Sequence, residues 1–135
     1  MAKYLVAYLA TAVVFFGLDF IWLINASHRF YRVMLGDLLT EKPNLLVSAL
    51  FYFVYVGGVV IFAVGPALNG GVWTTAMVLG AILGLIAYGT YDFTNLATIK
   101  DWPVVVSVVD LVWGISLTAI ASTLGYLITS KLAGE

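Results

Sequence analysis

Four long apolar runs divide the chain, and the polar residues inside them recur at helical spacing. The first run extends from about Tyr4 to Ala26, the second from Leu45 to Val64, the third from Val72 to Leu96 and the fourth from Pro103 to Thr129. A helix needs about 20 mostly apolar residues to cross a hydrocarbon core about 30 Å thick. The pattern therefore predicts an all-α membrane protein, with four transmembrane helices over 4–26, 45–64, 72–96 and 103–129 in one domain spanning 1–135. Gly65-Pro66 is expected to end the second helix, and Pro103 suits the first turn of the fourth. The connections 66–71 and 98–103 are short, which makes neighbouring helices antiparallel and the whole a four-helix bundle.

The segment 28–44 breaks the pattern. It carries Arg29, Arg32, Asp37, Glu41 and Lys42 among Phe30, Tyr31, Met34, Leu35, Leu38 and Leu39. Its apolar positions recur three to four apart, which predicts an amphipathic helix at the membrane interface between helices one and two, broken near Gly36 or ended before Pro43.

Polar positions within the apolar runs carry the chemistry. Asp19 and Asp110 occur in the same short pattern, Asp19-Phe-Ile-Trp22 and Asp110-Leu-Val-Trp113. Asp92 lies within Tyr88-Gly-Thr-Tyr91-Asp92-Phe-Thr-Asn95. At 1.5 Å per residue, Asp19 lies about 10 Å from the end of its run, Asp110 about 10 Å from the start of its own, and Asp92 about 6 Å from its end. With antiparallel spans, all three carboxylates fall in the same half of the membrane. Tyr88, Tyr91, Asp92 and Asn95 share one helix face. So do Asp19 and Trp22, Asp110 and Trp113, and Tyr52 and Tyr55 on the second helix. His28 stands at the end of the first helix on the same side. If these residues lock the helices together, Asp19 can accept a hydrogen bond from Trp113, and Asp110 one from Trp22, across helices one and four.

Composition narrows the class. Of 135 residues, 63% are hydrophobic and 10% charged, so there are too few charges to cover a water-facing surface. The net charge of −1 excludes a broadly basic nucleic-acid surface. The absence of cysteine removes disulfides, thiolate metal sites and cysteine nucleophiles, and the single histidine removes multi-histidine metal centres within one chain. No phosphate loop, dinucleotide fingerprint, zinc-helix motif or nucleophile elbow is present, so no cofactor is expected. The first run is too long for a signal-peptide core and lacks a small-x-small cleavage site, so it is expected to remain. Arg29, Arg32, Lys42 and Lys100 fall on one side of the membrane, and Lys3 and Lys131 on the other. The basic excess places segment 28–44 in the cytoplasm and both termini outside.

Leu18-Asp-Phe-Ile-Trp22, Phe30-Tyr-Arg32, Leu35-Gly36, Phe51-Tyr52, Thr90-Tyr-Asp-Phe-Thr-Asn-Leu-Ala-Thr98 and Val109-Asp-Leu-Val-Trp-Gly114 together resemble a family of small bacterial inner-membrane proteins of unknown function. The resemblance runs over essentially the whole chain. It implies a compact four-span protein of the bacterial cytoplasmic membrane and supplies no activity.

Three functional readings remain. The residues Asp19, Trp22, Tyr88, Tyr91, Asp92, Asn95, Asp110 and Trp113, with Tyr52, Tyr55 and His28 in secondary positions, suit an intramembrane site for a small cation, an amine or a proton, as in a transporter or channel. Alternatively, the same residues only lock the helices together. In the third reading, Asp, Tyr and His28 act on a lipid metabolite, or the carboxylates hold a divalent ion. Four spans are few for alternating access, so transport implies a homodimer, in contact with the lipid bilayer. The stripe Ala76, Gly80, Gly84 offers close helix packing, either within the chain or between two chains.

Overall fold

In lipid, backbone N–H and C=O groups have no water to bond, so an apolar chain must satisfy them within each segment. The computed structural model describes residues 1–133 and answers with four helices: α1 (Ala2–Leu38), α2 (Leu45–Leu68), α3 (Trp73–Thr98) and α4 (Val104–Leu132). Each is long and apolar enough to cross a membrane, and no strand occurs among the described residues.

The pairing of α3 with α4 is the most extensive in the bundle, and small residues allow it. A Cβ on Gly84 would strike the Gly114 carbonyl oxygen, and one on Gly80 would strike the Ser122 side chain. The Ala76, Gly80, Gly84 stripe is thus consumed inside the chain. Helix α1 lays Ala7, Thr11, Phe15 and Asp19 inward, four residues apart and so on one face. It crosses α4 where Gly125 leaves room for Thr11.

Two π-helical turns depart from the expected boundaries. In the first, Ser27–Tyr31, α1 continues past Ala26 instead of giving way to a separate interfacial helix. It runs on through Arg32–Leu35 and closes in a 3₁₀ turn at Gly36–Leu38, with Gly36 at φ 53°, a conformation open to glycine. The break near Gly36 therefore falls where the pattern places it, while 39–44 is not helical. At 1.5 Å per residue, 37 residues would extend about 55 Å, far beyond a 30 Å core. The surplus does not simply project. Leu35 is buried with Trp102 and Val106, and Phe30, Tyr31 and Leu39 pack around them. The segment thus roofs the α3–α4 end of the bundle.

The second π turn, Val60–Val64, lies in α2. It shifts the hydrogen-bond register, so that Gly65 N–H bonds Val60 C=O. Pro66 then falls in the first turn of the next helical stretch, Gly65–Leu68, where a missing N–H costs little. This is why Gly65-Pro66 does not end the helix at Val64.

Helix α2 packs unevenly. Its buried residues are Tyr55, Val56, Val59, Val60, Ala63, Val64, Gly65 and Ala67, and none precedes Tyr55. Close backbone approach to α3 is concentrated over Val60–Leu68. Over Leu45–Val54 the two helices diverge and leave a cleft between them.

Candidate functional site

The three aspartates belong to the same end of the bundle, beneath the roof formed by 27–39. Asp19 is 7% exposed and accepts a hydrogen bond from Trp113 Nε1 at 3.3 Å. This is the pairing the two Asp-x-x-Trp motifs predict. The reciprocal pairing does not form directly. Trp22 Nε1 donates to the Tyr31 hydroxyl at 3.2 Å, and that hydroxyl donates to Asp110 Oδ1 at 2.7 Å. The expected Trp22–Asp110 bond is therefore corrected to a relay through Tyr31. The reason is geometric: Trp22 lies flat on Trp113, with ring centroids 4.6 Å apart and planes 10° from parallel, and its N–H points to Tyr31 rather than to Asp110.

Asp92 is fully buried, and among the described residues neither carboxyl oxygen has a hydrogen-bond donor. Asp110 is its neighbouring acid. Two carboxyls bond only when one of them carries a proton, because an ionised carboxylate is an acceptor alone. Asp92 thus stands as a buried acid without a donor, next to a second acid. The backbone beneath is fixed by a second relay. Trp102 Nε1 donates to Ser107 Oγ at 3.0 Å, and Ser107 Oγ donates to the Asp92 carbonyl at 2.7 Å. That relay ties the α3–α4 turn to the acidic residue.

Asp110, Tyr52 and Tyr88 line two adjoining cavities. One, about 220 Å³, lies toward α1 and also meets Asp19, Trp22, Tyr31 and Trp113. The other, about 340 Å³, occupies the cleft between the diverging halves of α2 and α3 and also meets Phe51, Tyr55 and Tyr91. Tyr88 reaches this junction because Gly114 has no side chain; a Cβ there would enter the Tyr88 ring. Tyr55 is held by a 2.8 Å hydrogen bond with Thr118 Oγ1. Among the described residues, no lysine, arginine or histidine lines either cavity, so the acids face no fixed cation there.

The structure brings together most of the residues singled out in the sequence. Asp19, Trp22, Tyr88, Asp110 and Trp113 meet around the smaller cavity, and Tyr52, Tyr55 and Tyr91 line the larger. Asp92 is fully buried and lines neither. Asn95, one turn beyond Tyr91, also lines neither, and His28 is exposed on the π turn away from both. Tyr31, Phe51, Trp102, Ser107 and Thr118 are the participants that sequence patterning leaves unnamed as site residues. Ser107 and Thr118 stand on the same polar stripe of α4 as Asp110, which is a usable signal. Nothing in the local pattern says that Tyr31 turns back over the bundle. Among the described residues, no three Asp, Glu, His or Cys side chains form a metal-ligand group.

Fold and site define a small four-span integral membrane protein with a carboxylate cluster inside its helical bundle. The family model described as Predicted membrane protein (DUF2177) matches residues 4–127, and the chain belongs to that family. No curated protein and no solved structure matches it.

Proposed function

We propose that the protein binds a small monovalent organic cation, a protonated amine, at the Asp110 junction and carries it across the membrane in exchange for a proton. The observation that carries the reading is Asp92, fully buried with no hydrogen-bond donor among the described residues, next to Asp110, which lines two adjoining cavities. An ammonium at Asp110 supplies the positive charge that both cavities lack, and a proton held by the two acids leaves as it arrives. The ring faces of Tyr52 and Tyr88 add cation–π attraction. A divalent ion is less well served, since no three-ligand group forms among the described residues.

The helix-locking reading accounts for Asp19, whose bond to Trp113 joins α1 to α4. It does not account for Asp92. Polar contacts in membranes contribute about 0.6 kcal/mol on average, whereas an aspartate at membrane depth costs roughly 2.5–3.5 kcal/mol, and Asp92 makes no side-chain bond with a donor to offset that.

The basic excess of Arg29, Arg32, Lys42 and Lys100 supports a cytoplasmic location for the roofed end, in a bacterial cytoplasmic membrane with both termini outside. Alternating access with four spans calls for two chains. Such a homodimer would use a face other than the α3 glycine stripe, which is already packed against α4.

The test is equilibrium binding of butylamine to the purified protein in nanodiscs, followed by uptake into proteoliposomes under an imposed pH gradient. Saturable binding that Asp110→Asn abolishes, with uptake driven by the gradient, is the expected result. Absence of saturable binding by any monoamine overturns the reading.

A further inference from the structure

Resting on that reading, we infer that the amine carries a hydrocarbon tail and enters from the bilayer, through the cleft between Leu45–Val54 of α2 and the facing stretch of α3. Three observations carry this. The first is the shape of α2. It buries no residue before Tyr55 and approaches α3 closely only beyond Val60, so the bundle stands open on one side at the depth of the acidic pair. The second is the character of the opening. Phe51 and Tyr91, 61% and 54% exposed, flank it, Tyr52 and Tyr88 form its walls and the Asp110 carboxyl stands at its inner end. An apolar, lipid-facing passage that ends at an acid complements a molecule with an apolar body and a cationic head. The third is the apolar cover on the end of the bundle. Leu35, Trp102 and Val106, with Phe30, Tyr31 and Leu39 around them, form a hydrophobic cluster there that is poorly suited to passing a hydrated ion. The Tyr31 hydroxyl is itself committed to Asp110.

The cleft holds about 340 Å³, at the lower end of the range for small-molecule sites. That is room for a head group and the first part of a chain. The remainder of the tail lies outward past Phe51, among lipid.

The experiment compares ethylamine, hexylamine and dodecylamine on the intact protein in nanodiscs, taking as binding only the saturable component that Asp110→Asn removes. Ala87→Phe, on the cleft wall, narrows the passage. Should that variant fail to fold, Phe51→Cys is alkylated with a bulky maleimide after purification; the chain contains no other cysteine. The expected result is affinity, referred to aqueous concentration, that rises by about fourfold for each methylene the cleft buries. Narrowing should weaken dodecylamine by tenfold or more. Equal affinity along the series, unaltered by narrowing, overturns lateral entry while leaving amine binding intact. If no amine of any length binds saturably, the underlying reading falls and this inference falls with it.

Discussion

Trp22 and Trp113 lie face to face, 4.6 Å between ring centroids and 10° from parallel. They come from antiparallel helices and from the two copies of one motif, so the stack is where the repeated Asp-x-x-Trp pattern meets itself. Each indole N–H then leaves the stack by its own route, Trp113 directly to Asp19 and Trp22 through Tyr31 to Asp110.

Trp113→Phe keeps a ring in the stack and deletes only the donor to Asp19. It should cost about 0.6 kcal/mol, the usual scale of a polar contact in a membrane. Trp113→Ala removes the ring as well and should cost about 3–5 kcal/mol. Reversible unfolding in mixed micelles measures both. The exciton couplet from the stacked indoles should vanish from the circular dichroism of the alanine variant and of Trp22→Ala.

Tyr31→Phe interrupts the relay and leaves Trp22 Nε1 and Asp110 Oδ1 without their shared partner. A hydrogen bond to a charged group is worth about 1.5–3 kcal/mol, and a loss on that order is expected. His28→Ala, one turn earlier and exposed, should leave stability and amine binding unchanged. A matched loss of binding in His28→Ala would contradict the placement of the site.

Asp92→Asn separates function from architecture. The amide has nearly the same shape and brings an N–H₂ donor to Asp110, where Asp92 has no donor of its own unless a proton is present. Unfolding free energy should stay the same or rise by about 1 kcal/mol, while proton exchange in proteoliposomes should be abolished. A drop in stability of several kcal/mol would return Asp92 to a purely structural role.

Glycines offer a graded test of packing. Gly114→Ala drives a methyl into the Tyr88 ring, and overpacking of this kind costs about 1–3 kcal/mol. It should also displace Tyr88 from the junction of the two cavities and weaken amine binding. Gly17→Ala meets nothing within 4 Å and should be neutral, or stabilising by about 0.4–1 kcal/mol, through the unfolded chain. Thermal melts of the two variants side by side provide the comparison.

Hydropathy and spacing alone determined the four helices, their antiparallel order and the acidic half of the bundle, because a bilayer admits so few ways to satisfy an apolar backbone. The polar stripes were legible for the same reason: Asp19, Asp92 and Asp110 must turn from lipid, and helical periodicity says which neighbours turn with them. Three features were decided only by tertiary structure. Tyr31 reaches Asp110 because a π turn carries α1 over the bundle end, and where apolar residues are this dense the phase shift from one extra residue is hard to tell from ordinary three-to-four spacing. Pro66 reads as a stop in the sequence, yet α2 absorbs it by widening the preceding turn. The cleft at Phe51 and Tyr91 depends on how far α2 leans from α3. That lean is invisible in a run as uniformly apolar as Leu45–Val54, where lipid and protein are equally acceptable neighbours.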